Sequence, residues 1–302
     1  MTKSILFLVI AIGVCSMSVL QARELIFSKE SRYNNIFVFR HGSLIEMSFG
    51  HNRQIFTESV YNTVNDLDLP VEYTRYMTLG LTYAVNNNDI LEIGFGGGRT
   101  VWYLHKLLPE SNITSIELDR EVYEAALSYF GINKDEDGFD VIIEDGRRYL
   151  IKNKQLWDLI MVDAYRGPFV PFHLLTKEFY QMTKDRLSDG GVLVQNIEPT
   201  TMLYEAAIAT IGSVFDNVEV FDAQGNVVLI AYSGEKKSKS TLRTKAEFLD
   251  RTHKFPYSQK SMLKRRKYLR FLPNSKILSD DFAPVETLRA TERHNRKLDE
   301  FQ

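Results

Sequence analysis

The amino-acid sequence predicts an α/β fold: an open, mostly parallel sheet with an antiparallel closing strand, preceded by a small β-rich unit. Three observations predict it. Between residues 89 and 196, short apolar runs alternate with stretches of helical periodicity. A glycine cluster of Gly94, Gly96, Gly97 and Gly98 stands directly after the first of those runs. Upstream, residues 24–49 carry three β-rich runs instead. Continuous apolar strands separated by helices of this length are the pattern of a parallel sheet covered on both faces.

In chain order, the β-rich runs span 24–28, 35–40 and 43–49, with Arg40-His41-Gly42 as a hairpin turn. Pro70 opens a helix over 71–85, where apolar residues recur at helical spacing. Strands are expected at 89–93, 113–118, 140–143, 156–162 and 191–196. Helices fill the gaps at 100–108, 120–130, 146–152 and 176–187. A last pair, 218–221 and 227–232, turns at Gln224-Gly225-Asn226 and closes the sheet antiparallel. Amphipathic helices are expected over 241–253 and 258–269. The chain divides into a leader (1–22), a β-rich N-terminal domain (23–70), a Rossmann-like nucleoside-binding domain (71–235) and a basic helical extension (236–302) that completes it.

At 302 residues the chain can bury one large core. Its net charge is -2, but the distribution is uneven: residues 236–270 hold eight Lys and five Arg against Glu247 and Asp250. Aromatics are sparse in that stretch, so nucleic-acid binding is not expected. Residues 5–20 are almost wholly apolar and follow Lys3, which predicts an export signal or a membrane anchor. The protein is then exported or periplasmic, or associates with a membrane through its N-terminus; a cytoplasmic protein with a buried helix there is the remaining alternative. Cys15 is the one cysteine, which excludes an intramolecular disulfide and cysteine-rich metal sites. Six histidines without paired spacing predict no metal.

The chemistry lies at the strand ends. Leu91-Glu92-Ile93-Gly94-Phe95-Gly96-Gly97-Gly98-Arg99-Thr100 leaves a strand and enters a helix, the context of a nucleotide-binding glycine loop. A dinucleotide fingerprint would place its last glycine where Arg99 stands. Glu117 closes the second strand, 19 residues beyond Gly98, where a carboxylate can accept both ribose hydroxyls. Asp145-Gly146 follows the third strand, where a carboxylate can accept an adenine amino group. Asp163 ends the fourth, ahead of a loop with Pro168, Pro171 and His173. A carboxylate there can orient an amine and take its proton, because only an unprotonated amine attacks a sulfonium-activated carbon. His173 reads as structural or substrate-lining.

Together these residues resemble the spermidine and spermine synthase family of aminopropyltransferases, of which the chain is identified as a divergent member. The resemblance runs from about residue 24 to residue 286. It includes Ile116-Glu117-Leu118-Asp119, Glu144-Asp145-Gly146, Val162-Asp163, Thr176-Lys177-Glu178-Phe179-Tyr180 and Ser279-Asp280-Asp281-Phe282-Ala283-Pro284-Val285-Glu286. It implies a seven-stranded, methyltransferase-type Rossmann sheet behind a small β-domain. It also implies S-adenosylmethionine or its decarboxylated form as donor, a small-molecule acceptor, and a homodimer. By position, Gly94, Gly96 and Gly98 would pass the donor, Glu117 would bind ribose, and Asp145 with Gly146 would bind adenine. Asp163 would position and deprotonate the acceptor amine, with Tyr73 or Tyr76 and Arg166 beside the substrate. Three positions depart from the family. Gly97 stands where the resemblance implies an acid for the donor's amine, Arg166 replaces a second acceptor acid, and Phe221 stands nearest an implied tyrosine. Arg166 would repel a polycation. Two alternatives stay open: a methyltransferase in which Arg99 pairs a donor carboxylate, and a non-catalytic nucleoside-binding protein.

Overall fold

Residues 24–62 form a four-stranded antiparallel meander, β1 (Glu24–Glu30), β2 (Asn35–His41), β3 (Leu44–His51) and β4 (Gln54–Asn62), paired in chain order. The computed structural model describes residues 23–51, 53–133, 138–167, 169–201, 203–267 and 275–281. Alternation buries Ile36 and Val38 of β2 and Ile45, Met47 and Phe49 of β3, so one face of the meander joins the main core. The hairpin turn falls at Gly42, whose φ of 61° suits glycine. Residues 54–62, outside every expected strand, form β4 as well.

Helices α1 (Glu72–Met77) and α2 (Gly80–Tyr83) replace the single helix expected over 71–85. The break lets Gly80 press on the sheet: a Cβ there would lie 2.5 Å from Leu159 and 2.7 Å from Val194. Buried Gln259 satisfies the polar groups at the break, donating to Thr78 Oγ1 (2.8 Å) and accepting from Thr82 Oγ1 (3.0 Å).

The main sheet then alternates with helices: β5 (Asp89–Ile93), α3 (Arg99–Leu107), β6 (Asn112–Glu117), α4 (Arg120–Tyr129), β7 (Phe139–Ile143), α5 (Gly146–Lys152) and β8 (Trp157–Val162). It continues through α6 (Lys177–Lys184), β9 (Leu187–Ile197), α7 (Tyr204–Gly212), β10 (Asn217–Ala223) and β11 (Asn226–Tyr232). After these come α8 (Lys239–His253), α9 (Gln259–Met262) and the short β12 (Arg266–Lys267). Among the described residues the strand order is β12-β10-β11-β9-β8-β5-β6-β7. The five strands from β9 to β7 in that order are parallel; β11, β10 and β12 are antiparallel. This is the Rossmann-like, methyltransferase-type sheet that the sequence predicts, extended by one strand. β12 takes residues expected in a helix over 258–269, because Arg266 pairs with Glu219 (2.5 Å) and Lys267 with Asp222 (2.6 Å) on β10.

The sheet is apolar on both faces. Along β8, Leu159 and Met161 enter one core and Ile160 and Val162 the other. Strand order reverses between β5 and β8, and at such a switch point the chain leaves a crevice outside the carboxyl ends of the strands.

One expectation is corrected. The apolar segment 5–20 lies outside the described residues, and among those described no helix is long and apolar enough to cross a membrane. Export or anchoring therefore has no structural support, and that placement is withdrawn.

Gly94 directly follows β5 with a φ of 104°, and a Cβ there would lie 2.1 Å from the Asp163 carbonyl oxygen. The strand ends of β5 and β8 can approach so closely only at glycine. Gly94→Ala is expected to lower unfolding free energy by at least about 2 kcal/mol in urea titration. A change under about 0.5 kcal/mol would show that this approach is not required.

Candidate active site

The glycine loop is held from two sides. From the sheet, Glu117 Oε2 accepts the backbone N–H groups of Phe95 (3.1 Å) and Gly96 (3.2 Å), while Oε1 accepts that of Asp119 (2.9 Å). From the meander, Ser59 Oγ of β4 accepts the N–H of Gly97 (2.9 Å). A carboxylate has about four lone-pair positions, so Glu117 keeps acceptor capacity for a ligand. Burial pushes its pKa up to about 7, although the three N–H donors pull the other way.

Asp119 caps α4 through Glu121 N–H (3.1 Å) and accepts from Ser31 and Asn34 of the β1–β2 turn, which fastens the meander to the sheet edge. Asp145 caps α5 through Arg148 N–H (2.9 Å), and its other oxygen meets His173 Nε2 at 2.9 Å. The His173 contact is the main reason its pKa lies below the usual carboxylate range. Arg147 bonds the His173 carbonyl (3.0 Å), Thr176 (3.3 Å) and Asp280 (2.8 Å), so the loop after β8 and the C-terminal segment meet at α5. Residues 282–286 of the closing motif lie outside the described residues.

Asp163 follows β8. Asn196 Nδ2 donates to its Oδ1 (3.0 Å), Asn226 holds Asn196 in turn (3.0 Å), and the Tyr73 hydroxyl also bonds Asp163. Its surroundings are protein and cavity rather than bulk water. Burial therefore pushes its pKa up to about 6 against those two donors.

These groups line one cavity of about 430 Å³, within the range of small-molecule sites. Gly94, Gly96, Glu117, Asp145 and Gly146 reach it, as do Asp163, Tyr73 and Arg166. Gly98 does not; it adopts φ 68° as the N-cap of α3 and shapes the loop through its backbone. Tyr76 is corrected: it points into the core, 6 % exposed, with its ring against Phe221. Arg99 is corrected too. Its guanidinium is buried and engaged by Asp66 Oδ1 (2.9 Å) and the Phe130 carbonyl (2.9 Å). Arg166 is exposed at the rim, with Nε donating to the Tyr33 carbonyl (3.1 Å). At Gly97 a side chain has no room, since a Cβ would lie 2.6 Å from Phe130 and 2.8 Å from Ser59.

Glu58 and Ser59, both on β4 and both lining the cavity, are not among the residues that the sequence pattern singles out. The signal was the β-branched and aromatic content of 55–61 after Asn52-Arg53. Asn196, the last-but-one residue of β9, is likewise unmarked in the sequence.

A glycine loop and carboxylates at three successive strand ends define a Rossmann-like protein with a nucleoside-type crevice. Comparison with known proteins narrows the class. A family model described as spermine/spermidine synthase domain matches residues 72–246. The polyamine aminopropyltransferase of Vibrio vulnificus (strain CMCP6) is 32% identical over 232 residues, 74% of this chain and 77% of that protein. The fold is shared with a spermidine synthase solved with the transition-state analogue AdoDATO, at 22% identity and TM-score 0.66, over 82% of this chain and 86% of that one. Human methyltransferase-like protein 13 in complex with SAH is similar at 25% identity and TM-score 0.56, over 62% and 94%. The chain belongs to the spermine/spermidine synthase family, and it is a transferase.

The raised pKa of Glu117 has a stability consequence. In the unfolded chain a Glu releases its proton near pH 4.3, whereas the native state keeps it to about 7. Between those values the native state binds more protons, so stability contributed by Glu117 is present below about pH 4 and falls as pH rises towards 7. Glu117→Gln removes this titration. The wild type should therefore lose on the order of 2 kcal/mol more than the variant between pH 4.5 and 7.5 in urea unfolding. Parallel profiles would contradict the assigned environment.

Proposed function

We propose that the protein transfers an aminopropyl group from decarboxylated S-adenosylmethionine to an amine, with Asp163 as the base. The observation that carries the proposal is the placement of Asp163: a desolvated carboxylate beside Tyr73 that lines the same cavity as the glycine loop and Glu117. Family relatives named polyamine aminopropyltransferase support the reaction class, and the adenosyl compounds in the two solved structures support an adenosyl donor.

In this reading the glycine loop lets the donor approach the backbone at Gly94 and Gly96. Glu117 accepts a ribose hydroxyl at its remaining lone pair, and Asp145 accepts the adenine amino group with Gly146 beneath it. Asp163 and Tyr73 orient the acceptor. The amine lone pair attacks the aminopropyl carbon bonded to sulfur, a C–N bond forms, the C–S bond breaks, and its electron pair stays on sulfur as methylthioadenosine leaves. The proton from the amine passes to Asp163. Catalysis comes from positioning two bound reactants in line, without a covalent intermediate. A carboxylate with a pKa near 6 matches this task, being ionised at neutral pH yet more basic than an exposed Asp. Arg166 at the rim disfavours a polycationic acceptor. The engagement of Arg99 removes the feature that favoured a donor bearing a carboxylate.

The test follows methylthioadenosine release from decarboxylated S-adenosylmethionine with small primary amines across pH 5–9. The wild type should show an acid limb in kcat/KM with an apparent pKa near 6, since a protonated Asp163 cannot accept the amine proton. Asp163→Asn should lower kcat roughly 10²- to 10⁴-fold and abolish the limb. Full activity in Asp163→Asn, or release of S-adenosylhomocysteine from S-adenosylmethionine in its place, would overturn the proposal.

A further inference from the structure

The carboxylate of Glu58 plays no part in the reaction as described so far. Opposite β3, Met47 pairs with Ser59 and Ser48 with Thr57, so Glu58 is the extra residue of a β-bulge. Bulges re-aim a side chain, and here the re-aimed side chain lines the cavity while its neighbour Ser59 holds Gly97. Glu58 Oε1 is shut off from solvent and has no hydrogen-bond partner. Burial, together with the charges of Asp163 and Glu117, raises the pKa of Glu58 well above the usual carboxylate range.

A buried polar atom without a partner is costly, and buried carboxyls in mutual repulsion are costlier. Neither arginine at the cavity relieves Glu58: Arg99 is engaged by Asp66 and Phe130, and Arg166 is exposed and bonded to Tyr33. A ligand cation would remove both costs at once. Among the described residues no three His, Asp or Glu are grouped to hold a metal ion. The cavity walls include Phe49, Val60 and Leu69, which suit an aliphatic chain.

We propose that Glu58, presented by the β4 bulge, is the carboxylate that binds the aliphatic ammonium group of a reactant beside Asp163. It does from the meander what a side chain at Gly97 has no room to do from the loop. The assignment rests on the reading of this cavity as the reactant site. The ammonium can belong to the donor's aminopropyl arm or to the acceptor, and the two sources separate experimentally.

The experiment titrates the wild-type protein and Glu58→Gln calorimetrically with methylthioadenosine, decarboxylated S-adenosylmethionine and putrescine. Loss of a charge-assisted hydrogen bond predicts roughly 10- to 100-fold weaker binding of an amine-bearing ligand, with methylthioadenosine, which has no amine, unchanged. A fall for the decarboxylated donor assigns Glu58 to the donor's amine; a fall for putrescine alone assigns it to the acceptor's. Unchanged affinity for both amines in Glu58→Gln would overturn the inference. Equal losses for methylthioadenosine and the amines would make Glu58 a support of the cavity wall, and overturn it as well. If the wild type binds putrescine through Glu58 but no adenosyl compound, the nucleoside reading fails and the inference stands.

Discussion

The Glu117 carboxylate holds the site together. It sits at the end of β6 and accepts two backbone N–H groups from the loop that follows β5, plus that of Asp119 at the start of α4. Without an acceptor there, the Phe95 and Gly96 amides of the loop would lose their hydrogen-bond partner. The same short stretch fastens the meander: Asp119 takes hydrogen bonds from Ser31 and Asn34, and Ser59 takes one from Gly97. The meander thereby becomes a wall of the cavity rather than an appendage. Glu117 is therefore a brace for the loop and, in the proposed reading, also the acid that meets the ribose.

How much of this was legible in sequence depended on the strength of each periodic signal. β5, β6 and β8 are buried almost throughout, and their apolar runs announce them. Because parallel strands place their carboxyl ends on one edge, Glu117, Asp145 and Asp163 could be grouped before any coordinates. β4 is different. Its residues are half-buried or exposed along the whole strand, so no clean alternation marks it, and Glu58 went unseen with it. Tyr73 and Tyr76 are three residues apart in one helix, so spacing puts them on neighbouring faces and packing alone separates cavity from core. Arg99 was misread because its partners, Asp66 and the Phe130 carbonyl, are 33 and 31 residues away in sequence. Within the helix expected over 258–269, Arg266 and Lys267 form a strand for a similar reason, since acids on β10 draw them into the ladder.

The cavity is acidic in a way that the glycine loop does not suggest. Glu58, Glu92, Glu117 and Asp163 all reach it, and burial raises the pKa of each. Glu92 is reconciled by Ser115, which donates at 2.8 Å, and Glu117 and Asp163 by the donors already described. A basin of desolvated carboxyls attracts a cation and disfavours an anion. That polarity agrees with the sulfonium donor and amine acceptor proposed above, while Arg166 at the mouth limits the charge that enters.

Calorimetric titration of methylthioadenosine into the wild-type protein and Glu117→Ala tests the central role of Glu117 most directly. The account predicts one nucleoside bound per chain, and a loss of roughly 1–3 kcal/mol of binding free energy in a variant that stays folded by circular dichroism. Unchanged affinity in folded Glu117→Ala would contradict it, because the acid that fixes the glycine loop would then have no share in holding the nucleoside.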